Sequence, residues 1–242
     1  MDETVREMSS LRIETPPVTL RAMALERLRG AIISGVFKPG QRLVERTLCE
    51  QLGVSRSVIR EVIRHLDAEG LVTTEGQGPV VSRLDWEDAR QIYEIRAALE
   101  SAAVGACARV AGEATKAALR EALEVIEECA RSRDWMAVLA ATERFYGTIF
   151  MTGGHPIAGE IVRRLNGRIA QLRVLTLGSE NRQVTGPRRL RVIYEAIAAN
   201  DPEVAGEACR AHIREACAIA ERLLSESTPA DRRPNQTGTR SE

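Results

Sequence analysis

The sequence predicts a mostly α-helical protein with two domains, an N-terminal winged helix-turn-helix with a small β-hairpin wing and a C-terminal all-helical bundle. Between residues 17 and 84, three segments with helical spacing precede two short β-prone runs around a glycine-rich tip. From residue 85 to about residue 225, nearly every segment has helical periodicity and β-branched clusters are rare. The 242 residues are enough for two domains that each bury a core.

The composition is that of a globular protein, with 44% hydrophobic and 28% charged residues. Thirty-four basic residues balance thirty-four acidic ones, so any basic patch has to be local. The sequence contains no apolar run long enough for a membrane span and no secretory signal pattern, which predicts a cytoplasmic protein without a membrane partner. Five cysteines without a CxxC pair predict free thiols rather than disulfides or a zinc ribbon.

Changes in composition divide the chain into four predicted parts. A polar N-terminal segment ends at a Pro-Pro pair and predicts a flexible arm, and a C-terminal segment rich in Pro, Ser, Thr and Arg predicts a disordered tail. Between them lie the winged helix-turn-helix and the helical domain, which we expect to bind an effector and to dimerise. The predicted parts span residues 1–16, 17–84, 85–226 and 227–242.

Capping residues and helix breakers set the expected limits of the helices. In the first domain we expect helices over about 20–35, 45–52 and 55–70 and hairpin strands over 71–74 and 80–82. In the second domain we expect helices over about 85–110, 113–132, 134–152, 156–177, 188–199 and 202–225, with a polar loop over 178–187.

The third predicted helix carries a row of arginines. Arg56, Arg60 and Arg64 recur every four residues, so they lie along one face of the helix, turned away from its apolar stripe. Residues 17–84 hold ten Lys and Arg against seven acids, so the local charge is positive. Because a guanidinium can bind a guanine edge through two hydrogen bonds, this row is suited to the major groove of double-stranded DNA.

Two further positions complete the expected DNA interface. Arg46 begins the second helix, where the helix N-terminus also attracts phosphate. Gln77 and Gly78 form the predicted wing tip, which is short enough to approach a groove.

Three motifs in this domain resemble the GntR-type DNA-binding domain. They are Pro-Gly-x-x-Leu, Gly-Val-Ser-Arg and Glu-Gly-Leu-Val, which begin at residues 39, 53 and 69. Where most members have Thr-Pro, this chain has Ser57 and Val58. The resemblance implies that Arg46, Arg56 and Arg60 contact DNA and that Gly78 is the wing glycine.

The helical domain resembles the FCD effector domain of the FadR subfamily. Its first helix contains Arg96-x-x-Leu99-Glu100, similar to the family's Arg-x-x-Leu-Glu, and a second similar stretch covers residues 196–213. The resemblance implies a transcription regulator that binds an inverted-repeat operator as a homodimer and responds to a small-molecule effector.

Many FCD domains hold a divalent metal through an Asp and three His residues, and this sequence departs from that pattern. Three of the four positions fall on Thr142, Tyr146 and Leu190, and only His212 remains. One imidazole does not build a divalent metal site. We therefore expect no metal and no cofactor.

Without a metal, the resemblance places the effector against Arg96, Thr142, Tyr146 and His212. Arg96 has an alternative partner in Glu100, one helical turn away, in a solvated or interfacial pair. Leu190, with Ile193 and Ile197, suggests an apolar pocket wall, so the effector is either a carboxylate or a larger, less polar metabolite.

The leading function is therefore a ligand-responsive DNA-binding regulator, a repressor of a metabolic operon. A constitutive dimeric regulator whose helical domain only dimerises, with its pocket closed by Leu190 and Tyr146, remains an alternative. A small helical enzyme is a remote one, because the sequence has no GxSxG, HExxH or phosphate-loop motif. We expect the chain not to be an enzyme.

Overall fold

The structure of the protein is a computed structural model that divides into two compact units, with the boundary between Ser82 and Arg83. The predicted arm over residues 1–16 and the predicted tail over residues 227–242 lie outside the part that the structure describes. The described residues are 19–76, 78–177 and 180–226.

The predicted fold class is confirmed, with helices and a two-stranded hairpin in the first unit and a helical bundle in the second. In the first unit, α1 is Leu20–Ile33, α2 is Glu45–Leu52, α3 is Arg56–Ala68, β1 is Val72–Glu75 and β2 is Gly78–Val81. In the second, α4 is Trp86–Val110, α5 is Glu113–Arg131, α6 is Trp135–Thr152, α7 is Pro156–Arg164, α8 is Asn166–Leu177, α9 is Glu180–Ala198 and α10 is Pro202–Glu226.

The turn between α2 and α3 orients the third helix. Gly53 ends α2 with a φ of 65°, a left-handed conformation that favours glycine. Ser55 then caps α3, where its hydroxyl accepts a hydrogen bond of 3.4 Å from the Val58 backbone N–H. This short turn lets α3 begin with its arginine row exposed.

The apolar face of α3 packs on α1 and forms the core of the first unit. Arg29 of α1 also binds Glu69, next to the end of α3, through its Nε at 2.8 Å. This partly buried pairing raises the pKa of Arg29 above its usual value, and it fixes α1 against the C-terminal end of α3. The buried core residues of these two helices are Ala24, Leu28, Ile32, Ile33, Ile59, Val62, Ile63 and Leu66.

The hairpin has a third, short partner that the sequence did not predict. β1 and β2 are antiparallel, and the segment from Gln41 to Leu43 pairs with the outer side of β2. Val81 donates its N–H to the Gln41 carbonyl, and Leu43 donates to the Pro79 carbonyl, each at 2.9 Å. The wing is therefore held along both sides of β2.

In the second unit, α4 packs against α10, α6 and α9. Aspartates cap three of its helices as the sequence predicted: Asp85 caps α4, Asp134 caps α6 and Asp201 lies before α10. Throughout the described ranges, no helix is both long and apolar enough to cross a membrane. Fully buried side chains of the bundle core include Phe145, Ile149, Leu119, Leu123, Ile169, Leu172, Ile193 and Ile197.

The single helix expected over residues 156–177 is wrong, because the chain turns at Leu165 and forms two helices, α7 and α8. Asn166 and Gly167 follow the turn, and both residue types are weak helix formers. The Asn166 side chain instead donates a 2.9 Å hydrogen bond to Glu143 of α6. A tertiary contact thus stabilises the break.

The polar loop expected over residues 178–187 is also wrong, because α9 already begins at Glu180 and continues through Pro187. A proline inside a helix removes one backbone hydrogen bond, so the sequence predicted a break there. In the structure, Thr185 and Arg189 on either side of Pro187 both bind Glu215 of α10. These tertiary contacts outweigh the local preference.

We expect Phe145→Ala to lower the free energy of unfolding of the helical unit by about 3–5 kcal/mol, because the ring is fully buried and its removal leaves a cavity. Urea unfolding followed by circular dichroism measures this loss. The control is Met151→Ala on the same helix, where the side chain is 71% exposed and the expected change is within about 0.5 kcal/mol. Equal losses in the two variants would contradict the assigned core.

Candidate functional site

The arginine row of α3 lies on an exposed face. Arg56, Arg60 and Arg64 are all exposed, while Ile59 and Ile63 between them are buried. Within the described ranges, no acidic side chain forms an ion pair with Arg56 or Arg64. Two arginines of the row are therefore available to an external anion.

Arg60 and Arg46 are held by exposed ion pairs. Arg60 donates from its Nε to Glu45 at 3.1 Å, and Arg46 donates to Glu50 at 3.3 Å. Exposed pairs of this kind contribute about 0–1 kcal/mol, so a phosphate can replace either carboxylate at small cost. The pair with Glu45 also connects α3 to the start of α2.

The wing adds an arginine that the sequence analysis did not single out. Gly78 has a φ of 107°, and a Cβ at this position would lie 3.5 Å from the Arg42 guanidinium. Arg42 is exposed and belongs to the short third strand, so only the tertiary pairing places it at the wing. The predicted wing residue Gln77 lies outside the described residues.

In the helical unit, Arg96, Thr142 and His212 line one internal cavity of about 40 Å³, called here the inner cavity. A cavity of this volume holds only a few water molecules. Leu190 also lines it, as expected, whereas Ile193 and Ile197 lie in the hydrophobic core. The other lining residues are Tyr93, Ile126, Val138, Arg173, Thr176, Leu177, Gly186, Pro187 and Ala216.

Arg96 forms an ion pair with Glu100, which is the alternative role predicted from the sequence. The pair is buried, however, and not solvated or interfacial as expected. The Arg96 Nε donates to Glu100 at 2.8 Å, and the guanidinium carbon lies 5.5 Å from the centre of the Tyr93 ring. Burial alone lowers the pKa of Arg96, but the Glu100 carboxylate raises it above the usual value. Arg96 therefore stays charged inside the bundle beside its carboxylate partner.

Tyr146 does not line the inner cavity, although it shares a buried helical face with Thr142. Its hydroxyl lies 4.0 Å from the Cys209 sulfur, and burial raises its pKa well above the usual value. Of the four expected effector residues, Arg96, Thr142 and His212 thus line one cavity and Tyr146 lines the adjacent space. Tyr146 lines the second space described below, together with Glu100.

The inner cavity does not have the donors that a divalent metal requires. Thr142 uses its hydroxyl to donate to the Val138 carbonyl at 2.7 Å, and Leu190 has no donor atom. His212 is then the single imidazole at the family's positions. Among the described residues, no group of three or more His, Cys, Asp and Glu side chains could hold a metal ion.

A second space, called here the outer groove, lies between α6, α7 and α8 and has a volume of about 250 Å³. Arg173 of α8 lines both this groove and the inner cavity. Burial, and then the charge of Arg96, lower the pKa of Arg173 to about 10. No spacing in the sequence distinguished Arg173 from the other arginines. The groove is lined by Glu100, Glu143, Tyr146, Gly147, Phe150, Met151, Pro156, Gly159, Glu160, Val162, Arg163, Asn166 and Arg173.

Comparison with known proteins assigns both units to families. Residues 20–81 match the model of the bacterial regulatory proteins of the gntR family, and residues 91–215 match the FCD domain. A two-unit chain with these domains is a bacterial transcription regulator that binds DNA. The protein belongs to the GntR family, in the FadR-like group that carries an FCD domain, as the sequence motifs predicted.

Relatives and solved structures agree with this assignment. The chain is 28% identical over 202 residues to the HTH-type transcriptional regulator YdhC of Bacillus subtilis, covering 83% of this chain and 90% of that protein. It is 36% identical over 74 residues to the gluconate operon transcriptional repressor of Bacillus subtilis, covering 31% of this chain and 30% of that protein. A crystal structure of a GntR regulator from Rhodococcus sp. RHA1 superposes with a TM-score of 0.72 and 27% identity over 86% of this chain and 99% of that one.

We expect Glu100→Gln to lower the free energy of unfolding of the helical unit by about 3–5 kcal/mol, because Arg96 would keep a buried charge without its carboxylate. Chemical unfolding of the full-length protein measures this loss. The matched control is Glu94→Gln, which removes the carboxylate of an exposed pair with Arg90 on the same helix and at the same spacing. Its expected cost is about 0–1 kcal/mol. Similar costs for both variants would show that the pair is not buried.

Proposed function

We propose that this protein is a ligand-responsive repressor of a metabolic operon, acts in the cytoplasm and binds an inverted-repeat operator as a homodimer. The observation that carries the proposal is the exposed arginine face of α3, at the start of which Arg56 lies beside the capping Ser55. Similarity to the gluconate operon transcriptional repressor, in 74 residues, supports repression. We propose no catalytic role for the chain.

The arginines divide into two proposed roles. Arg56, Arg60 and Arg64 project from one face of α3, so they can reach base edges when this helix enters the major groove. Arg46 starts α2, where it can bind a phosphate in place of Glu50. Gly78, with the neighbouring Gln77, is proposed to bring the wing close to the backbone of the DNA.

The proposed homodimer follows from the short length of DNA that one recognition helix can contact. Each chain offers one recognition helix, which reads a half-site of a few base pairs, and a two-fold dimer reads two such half-sites in inverted order. Sedimentation of the protein with a full operator and with a half-operator tests this arrangement. One dimer per full operator is expected, with much weaker binding to the half-operator.

We place the effector of this proposal in the inner cavity, against Arg96, Thr142 and His212. At about 40 Å³ the cavity has to open for any metabolite larger than a few waters. Gly186 and Pro187 of α9 form part of its wall, where the proline interrupts the backbone hydrogen bonds of the helix. Movement of this segment is a route by which ligand binding could change the paired DNA-binding units.

The small volume of the inner cavity also favours a second candidate function, a constitutive regulator whose helical domain only dimerises. The two candidates differ in one measurement. Operator binding is titrated in the presence of a panel of carboxylate and apolar metabolites. A saturable change in operator affinity supports the ligand-responsive regulator, and no change across the panel supports the constitutive one.

We expect Arg56→Ala and Arg60→Ala each to weaken operator binding by about 1–3 kcal/mol and to relax sequence preference, because each would remove a base contact. Arg46→Ala should weaken binding to every sequence alike and reduce the slope of log K against log salt by about 1. Fluorescence anisotropy with operator and scrambled DNA over a salt series measures both effects.

The control for these variants is Arg27→Ala, an exposed arginine of α1 in the same unit. It removes the same charge at a residue that is not among the proposed DNA contacts, so its operator affinity should stay near that of the wild type. If Arg56→Ala and Arg60→Ala both bind the operator like the wild type, the assignment of α3 as the recognition helix is wrong.

We expect Zn²⁺, Mn²⁺ and Ni²⁺ to leave the melting temperature of chelator-treated protein unchanged, because three of the four family positions lack metal donors. A metal at about 100 times its dissociation constant would stabilise the fold by about 2.7 kcal/mol, which thermal unfolding detects readily. A saturable rise in melting temperature would show that other residues supply the ligands.

A further inference from the structure

The wing sheet has a buried face and an outer face. Leu43 of the short third strand, Val81 of β2 and Val72 of β1 are almost completely buried. Successive side chains of a strand alternate between the two faces of a sheet. Arg42 and Val80, which pair directly, therefore belong to the opposite, outer face. Arg42 thus projects from the side of the wing that is turned towards solvent.

The Arg42 side chain extends along the wing towards its tip. Its backbone pairs with Val80, but its guanidinium lies against Gly78, two residues closer to the tip. A Cβ at Gly78 would lie 3.5 Å from the Arg42 Nη2, 3.7 Å from its Nε and 3.9 Å from its Cζ. Two residues of a strand are about 7 Å long, so the side chain carries its charge about that far along the wing.

Arg42 makes no ion pair and no side-chain hydrogen bond within the ranges that the structure describes. In this respect it is similar to Arg56 and Arg64 of α3, and it differs from Arg46 and Arg60, which are held by carboxylates. The donors of its guanidinium are therefore available to an external acceptor.

Arg42 also lies close to the arginine face of α3. It precedes Glu45 by three residues, so the two Cα atoms are at most about 11 Å apart. The Glu45 carboxylate in turn accepts a hydrogen bond of 3.1 Å from Arg60. Neighbouring grooves of B-DNA are centred half a turn apart, roughly 17 Å. When α3 lies in the major groove, a long side chain at this distance can reach the adjacent minor groove.

We propose that Arg42 is a specificity-determining residue, which inserts its guanidinium into the minor groove beside each half-site and favours A·T base pairs there. In the minor groove, A·T pairs present only acceptors, whereas G·C pairs add the guanine amino donor, which an arginine cannot use. A·T tracts also narrow this groove and make its potential more negative. The inference rests on the proposed function, because it requires α3 to occupy the major groove.

Selection from a random DNA pool tests this contact without a known operator. The full-length wild type, Arg42→Ala and Arg56→Ala each enrich DNA from the same pool, and sequencing gives the base preference at every position. We expect the wild type to enrich two half-sites with A·T pairs beside each of them. Arg42→Ala should keep the half-sites and lose the A·T preference, whereas Arg56→Ala should lose a half-site base and keep the A·T preference.

The DNA enriched by the wild type is then the probe for fluorescence anisotropy. Replacing its flanking A·T pairs by G·C pairs should weaken wild-type binding at least about 5-fold, the lower limit for one mismatched base pair. Inosine·cytosine pairs at the same positions should restore the affinity. They lack the guanine amino group in the minor groove but keep the G·C pattern in the major groove. Arg42→Ala should bind all three DNAs with equal affinity.

Two further variants separate the minor groove from a simple charge effect. Arg42→Lys keeps the charge, but an ammonium is more strongly hydrated than a guanidinium, so this variant should lose most of the A·T preference. Arg27→Ala removes an exposed arginine from α1 and should keep the full preference. All of these positions are exposed, so the variants should fold like the wild type, which circular dichroism checks.

The proposal is overturned if Arg42→Ala keeps the A·T preference. It is also overturned if Arg42→Ala weakens binding while the ratio of affinities for A·T-flanked and G·C-flanked DNA stays that of the wild type, since Arg42 would then contact only phosphate. Half-sites enriched by the wild type without any preference beside them would overturn this contact and leave the proposed function intact. If the wild type enriches no sequence at all, the proposed function and this contact both fail.

Discussion

The helical unit is organised around two opposite charges buried one turn apart on α4. Arg96 and Glu100 have almost no exposed surface, so each requires the other to remain charged inside the bundle. Arg96 lines the inner cavity and Glu100 lines the outer groove, so the pair reaches both spaces of the bundle. Tyr146 and Thr142, neighbours on one helical face, line different spaces.

Burial decides what an arginine can do in this protein. On α3 the arginines are exposed, their pairings are weak, and they can exchange water or a carboxylate for a DNA phosphate or base. In the bundle, Arg96 is neutralised by Glu100, whereas Arg173 is half-buried and stacks on Tyr146. Buried charge without a hydrogen-bonded partner is costly, so the interior arginines define where an anion would be stabilised. The exposed arginines of α3 are thus suited to DNA, whereas Arg96 is held by a partner within its own helix.

A ligand can regulate DNA binding only if it stabilises two arrangements of the protein unequally. The inner cavity is bounded by α9, whose Pro187 segment is held to α10 through Glu215 rather than by an unbroken set of backbone hydrogen bonds. The outer groove is bounded by α8, which begins at the Leu165 turn. The inner cavity and the outer groove therefore adjoin the two places where tertiary contacts override helix-breaking sequence.

The sequence by itself determined the fold class, the helix caps and the exposed arginine face of α3. Periodicity and capping are local properties, so Ser55, Asp85 and Asp134 were predictable as caps. The three motifs that begin at residues 39, 53 and 69 together indicated the family. The tertiary structure alone decided the break at Leu165 and the helix through Pro187, where contacts with Glu143 and Glu215 outweigh propensity. It also decided the positions of Arg42, Tyr146, Gly147 and Arg173. Their surroundings come from residues distant in the chain, and helical spacing carries no information about those.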